Sequence, residues 1–65
     1  MQQFTITIKD RQDNIILIIN NIHHITHEPV KNYTYLWKDS EEISANYIGL
    51  IDNQYAKVYI KKVGN

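Results

Sequence analysis

The residues of this chain best suited to chemistry lie together in the run His23-His24-Ile25-Thr26-His27-Glu28. Imidazoles and carboxylates are metal-ligand types. On a helix His23 and His27 would stand one turn apart and could share an ion, with Glu28 beside them. The zinc-protease pattern places a Glu directly after its first His, and His24 occupies that place here. The run also falls where a helix would end, and protonated imidazoles interact well with the negative end of a helix dipole. The expectation is therefore no metal and no other cofactor, with His23 and His27 as the candidate ligands.

A second cluster interleaves rings with basic groups, in Tyr55-Ala56-Lys57-Val58-Tyr59-Ile60-Lys61-Lys62. Together with Tyr33, Tyr35 and Trp37 it could form a stacking platform for single-stranded nucleic acid. Asp39, Glu41, Glu42 and Asp52 lie near enough in sequence to offset the local charge. The preferred reading of Tyr33, Tyr35, Trp37, Tyr47, Tyr55 and Tyr59 is an oligomer or partner interface, with Lys57 and Lys61 at its rim. Catalysis has little support. Ser40 and Ser44 lack a glycine elbow, and two glycines, Gly49 and Gly64, do not make a phosphate-binding loop. No enzyme activity is expected.

These groups need elements to hold them. Residues 3–9 alternate, with Phe4, Ile6 and Ile8 on one face, as a half-buried strand does. Asp10-Arg11-Gln12-Asp13-Asn14 is a turn. Over 14–27, steps of 100° bring Ile15, Ile18, Ile19, Ile22 and Ile25 within roughly 120° of arc, which predicts an amphipathic helix. Asp10 or Asp13 would cap its start and Pro29 would mark its end. Its β-branched content is costly in a helix, and a long buried strand is the rival. Residues 32–38 alternate again, with Tyr33, Tyr35 and Trp37 on one face. Asp39 to Glu42 reads as a turn, and residues 43–51 as a strand in preference to a second helix. Folding the chain about Asn53 pairs that strand with Tyr55 to Lys62 and brings Glu41 and Glu42 to Lys61 and Lys62.

The resulting expectation is a two-layer α+β domain in the order β-α-β-β-β. One amphipathic helix covers a mostly antiparallel sheet face made of Phe4, Ile6, Ile8, Ile48, Leu50, Ala56, Val58 and Ile60. Ile43 and Ile51 join the six rings on the other face. The alternative is a small all-β barrel or sandwich.

Composition sets the limits. The chain has 65 residues, seven Lys+Arg against seven Asp+Glu, and no cysteine. That fits one small domain, 1–65, with no disulfide framework. Zero net charge argues against a general binder of nucleic acid or anionic membrane. The longest apolar run is Ile15 to Ile19, where a membrane span needs about 20 residues. No signal-peptide pattern opens the chain, so a cytoplasmic protein is expected. Twelve Ile, seven Asn, six Lys and five Tyr are residues with AT-rich codons, consistent with a phage or mobile-element origin.

Phe4-x-Ile6-x-Ile8-x-Asp10-Arg11, followed by Ile15, Ile18 and Ile22, resembles the first strand and helix of ligand-binding ACT domains over about a third of the chain. The resemblance implies a small-ligand regulatory domain. Asp13 stands where that family usually has a glycine, no functional residue carries over, and the chain ends before the family's last helix and strand.

A chain this short buries only about 60% of its unfolded surface and gains from association. The reading is therefore a small protein-binding module acting as a homodimer through its aromatic face, with regulation or inhibition of a host factor as the expected task. Nucleic-acid binding and small-ligand regulation are the alternatives.

Overall fold

The computed structural model describes residues 2–64 and is built almost wholly of strands. These are β1 (Gln3–Lys9), β2 (Ile15–Ile22), β3 (His24–Glu28), β4 (Tyr33–Trp37), β5 (Tyr47–Asp52) and β6 (Lys57–Val63). A single 3₁₀ turn, Ser44–Asn46, precedes β5. They form two antiparallel three-stranded sheets, ordered β2-β1-β6 and β3-β4-β5. The helix expected over 14–27 is thus an error, and with it the two-layer α+β architecture. The all-β alternative comes nearer.

The segment becomes strand because four of the five residues Ile15 to Ile19 are isoleucine. Branching at Cβ restricts χ1 against the preceding helical turn, whereas a pleated surface accommodates it. Two irregularities then bend the ladder. Ile8 faces Leu17 while Lys9 faces Ile15, so Ile16 bulges. Phe4 faces Ile22 while Ile6 faces Ile19, so Thr5 meets both Asn20 and Asn21. Asn21 has φ 63°, a left-handed conformation that asparagine tolerates better than most residues. After Ile22, at His23, the chain leaves one sheet and enters the other. Asp10, expected as a helix cap, closes the β1–β2 turn instead. Its Oδ1 accepts the N–H groups of Gln12 and Asn14, both at 2.9 Å.

The hairpin expected between residues 43–51 and 55–62 is also wrong. β5 pairs with β4, and β6 pairs with β1 in a regular register from Gln3↔Val63 to Lys9↔Lys57. The connection from Asp52 to Lys57 therefore crosses between sheets. The Asp52 carbonyl accepts N–H bonds from Tyr55 and Ala56 at 3.1 Å, and Arg11 Nη2 donates to the Gln54 carbonyl at 2.9 Å, tying this crossing to the β1–β2 turn. Glu41 and Glu42 do not reach Lys61 and Lys62. Glu42 instead meets His24 on the other sheet.

The core lies between the sheets. Ile6, Ile8 and Ile22 come from one, Leu36 and Ile51 from the other, and Phe4, Ile19, Ile25, Ala56 and Val58 pack around them. Ile51, expected among the rings, is 7% exposed, while Leu50, expected in the core, is 44% exposed. A shift in register between Leu36 and Trp37, where Ile48 is the extra residue, accompanies this reversal. The buried Thr34 hydroxyl is satisfied by Asn53 Oδ1 at 2.6 Å.

Candidate functional site

β4 reads Tyr33-Thr34-Tyr35-Leu36-Trp37. Alternation sends Thr34 and Leu36 into the core and leaves three rings outside. β5 adds Tyr47, which lies opposite Trp37. The rings touch in a connected series. Tyr33 and Tyr35 are 6.4 Å apart between centroids, Tyr35 and Trp37 stack at 6.1 Å, and Tyr47 sits 6.5 Å from Tyr35 and 5.8 Å from Trp37 in an edge contact. Such separations fall in the attractive range for ring pairs, worth about 0.5–1.5 kcal/mol each beyond burial. The β4 rings therefore shield one another and are only half-exposed.

β3 anchors this face. Trp37 Nε1 donates to Thr26 Oγ1 at 3.0 Å, which fixes the indole orientation. His24 Nε2 lies 2.9 Å from Glu42 Oε2 and holds the loop before the 3₁₀ turn against the sheet. Glu28 accepts the N–H groups of Val30 and Lys31, at 3.1 and 2.6 Å, and so shapes the β3–β4 turn. That turn closes on Asn32, whose φ is 59°. Between these parts runs a groove of about 350 Å³, lined by Tyr35, Trp37, Thr26, His27, Pro29 and the carboxylate-bearing Glu28 and Glu42. It joins aromatic faces, which carry negative quadrupole potential, to two acidic groups. Both features attract a cation.

The structure splits the predicted set. Tyr33, Tyr35, Trp37 and Tyr47 come together on the β3-β4-β5 sheet. Lys57, Tyr59 and Lys61 lie on the outer face of the other sheet, opposite Lys9, Thr7 and Thr5, and Tyr55 stands exposed in the crossing turn. On that second face Tyr59 is the only ring among the described residues. The Lys9 ammonium lies 4.9 Å from its centroid, and Asp13 is within 3.7 Å of both Lys9 and Lys57.

His23 and His27 do not share a site, because the helical spacing that would join them is absent. His23 Nδ1 contacts the Gln2 carbonyl at 2.9 Å, and His27 Nε2 contacts Asn32 Oδ1 at 3.0 Å. No group of three metal-ligating side chains gathers among the described residues. Nor is any helix among them long and apolar enough to cross a membrane.

Sequence reasoning missed the part played by Thr26, Glu28, Pro29 and Glu42 beside the rings. The available signal was strand alternation in residues 24–28. It puts His24, Thr26 and Glu28 on one face, but the helical reading obscured it.

Comparison with known proteins finds no family model, no curated protein and no solved structure that matches the chain. The resemblance to ACT domains does not extend past β1, since a strand follows where that family has its helix.

Proposed function

We propose that this chain is a small protein-interaction module whose recognition face is the outer face of the β3-β4-β5 sheet. The observation that carries this reading is the connected series Tyr33, Tyr35, Trp37 and Tyr47 beside the Glu28/Glu42 groove. Rings of this kind supply large contact area at low entropic cost, which is why Tyr and Trp dominate interface energetics. The carboxylates favour a segment with a basic side chain, whose cation meets the ring faces and the two acids together.

The same carboxylates disfavour phosphate, and this weakens the nucleic-acid reading on the aromatic face. On the opposite sheet the lysines are present, but a single ring gives successive bases little to stack on.

Selection of a random peptide library on the immobilised chain tests the proposal. Enriched peptides should carry Lys or Arg, should change Trp37 fluorescence on binding, and should bind at least about tenfold more weakly to Tyr47→Ala or to Glu42→Gln. If enriched peptides bind both variants as well as the parent, the recognition face is not this one. If instead an oligonucleotide binds at low salt and is released as salt rises, the nucleic-acid reading replaces it.

A further inference from the structure

The groove beside Trp37, of about 350 Å³, combines a shape and a charge that together select a ligand. Its volume lies at the lower end of the range for ligand sites, about 300–1,000 Å³, and suits one long side chain. Part of its wall is aromatic. The planes of Tyr35 and Trp37 are inclined by only 29°, so a flat group lying parallel to one ring is nearly parallel to the other. The bond from the indole Nε1 to Thr26 Oγ1, at 3.0 Å, holds Trp37 in that attitude. Tyr47 braces it edge-on, with 72° between the planes. The ring faces are therefore set before anything binds.

The rest of the charge pattern comes from two acids on different elements. Glu28 ends β3, and Glu42 lies in the loop before β5. Both line the groove, and no lysine or arginine does. A carboxylate has about four acceptor positions. Glu28 spends one on each oxygen, for the N–H groups of Val30 and Lys31, and these bonds fix its orientation. Glu42 Oε2 faces His24 Nε2 at 2.9 Å, while its Oε1 has no hydrogen-bond partner among the described residues. His27, also on the groove, is engaged with Asn32 Oδ1 at 3.0 Å. Both acids thus keep acceptor positions for a ligand.

We infer that this groove takes the guanidinium of an arginine borne on a peptide segment of a partner protein, in preference to a lysine ammonium. The inference rests on the recognition face proposed above and narrows what that face recognises. A guanidinium is planar, stacks on aromatic faces, and donates five N–H groups in a rigid fork. It can lie on the Tyr35–Trp37 wall while its edge donates to a carboxylate. An ammonium is a compact, strongly hydrated charge. In a groove open to solvent it keeps its water and gains little from the rings. The charge also favours a peptide over the free amino acid, because free arginine brings its own carboxylate to the two acids. Tyr33 and Tyr47 continue the ring series beyond the groove, where the residues flanking a peptide arginine can lie. The chain's own arginine, Arg11, does not fill the site, since it donates to the Gln54 carbonyl beside the other sheet.

Trp37 is the one tryptophan of the chain, so indole fluorescence reads the groove directly. The full chain is titrated with three pools of capped pentapeptides, free of Trp and alike except for a central Arg, Lys or citrulline. The Arg pool should reach half-saturation at a concentration at least about tenfold below either of the others. Free arginine should bind at least about tenfold more weakly than the Arg pool. Glu42→Gln keeps an oxygen for His24 and should weaken the Arg pool by at least about tenfold with the β-type circular dichroism retained. Tyr59→Ala, on the other sheet, should leave that affinity unchanged. The pool comparison needs no variant and decides alone if Glu42→Gln fails to fold. A Lys pool that binds as well as the Arg pool overturns the inference and leaves the recognition face standing. A citrulline pool that does so overturns it as well, since charge then plays no part, and so does a folded Glu42→Gln chain of parental affinity. Free arginine binding more tightly than the Arg pool would assign the groove to a small molecule and overturn the peptide source. No response to any pool overturns both the inference and the recognition face on which it rests.

Discussion

The two sheets share one core, yet their outer faces are finished in opposite ways. On β3-β4-β5, Tyr33, Tyr35, Trp37 and Tyr47 cover one another and are tied to β3 by the bond from Trp37 to Thr26. On β2-β1-β6, the outer residues of β1 are Thr5, Thr7 and Lys9, met by Lys57, Tyr59 and Lys61, and the face runs out in an apolar edge. The difference shows that aromatic content alone does not mark a surface. Four rings in register make a cohesive face with its own internal contacts. A lone ring among lysines makes a solvated one. The rings that look equivalent in sequence thus have unequal weight, and mutation should expose the inequality.

The largest effect is expected at Trp37. Trp37→Ala removes contacts to Tyr35 and Tyr47 and leaves the Thr26 hydroxyl without the indole donor. A fully buried Trp→Ala change costs about 3–5 kcal/mol, and for this half-buried ring about 2–3 kcal/mol is expected from urea unfolding. A loss below about 1 kcal/mol would mean that the rings stand side by side without cohesion and that the contrast between the faces is nominal.

Tyr59→Ala should cost far less, about 0.5 kcal/mol, because an exposed cation–π contact of the Lys9 type contributes about that much. If Tyr59→Ala proves as costly as Trp37→Ala, Tyr59 has a partner that the single chain does not supply. The pair of measurements therefore discriminates between cohesion within the chain and burial by another molecule.

The contrast also explains what could be read from the amino-acid sequence. β1, β4 and β6 alternate cleanly, and they were legible as strands. The rings of β4 were legible as one face because nothing interrupts Tyr33-Thr34-Tyr35-Leu36-Trp37. Residues 15–28 misled because a run of five apolar residues has no period of its own. Its fit to a helical stripe took no account of the bulges at Ile16 and Asn21, which shift the phase of a strand without any composition signal. The bulge at Ile48 hid the inward turn of Ile51 in the same way. Pairing across sheets was not legible either, since β6 returns to β1 over a separation that local turn chemistry does not specify. The groove went unread because its acidic side joins Glu28, at the end of the segment read as a helix, to Glu42, whose loop was legible as a turn but whose approach to β3 depends on tertiary packing that local sequence does not specify.

The smallest expected effect concerns the end of the β2-β1-β6 sheet and appears only in acid. The Asp10 carboxyl is held below its ordinary value of 3.8, chiefly by the backbone N–H of Asn14; desolvation, the next-largest influence, opposes this, and the Asn14 side chain, the Gln12 N–H and the nearby Lys57 charge add further lowering. A carboxyl whose folded pKa is depressed contributes stability above its unfolded pKa and loses it as pH falls through the folded value. The window is therefore below about pH 4. Asp10→Asn keeps an oxygen for the Gln12 and Asn14 N–H groups but cannot titrate. The thermal midpoint of the parent should fall more steeply than that of Asp10→Asn between about pH 4 and pH 2, and the two curves should run parallel at neutral pH. Trp37 fluorescence adds the local reading, since the indole belongs to the other sheet. If acid loosens the β1–β2 turn first, amide protection at Gln12 and Asn14 should drop before the indole signal moves. Simultaneous loss at both places would show that the two sheets unfold as one unit, and that their difference is confined to the surfaces they present.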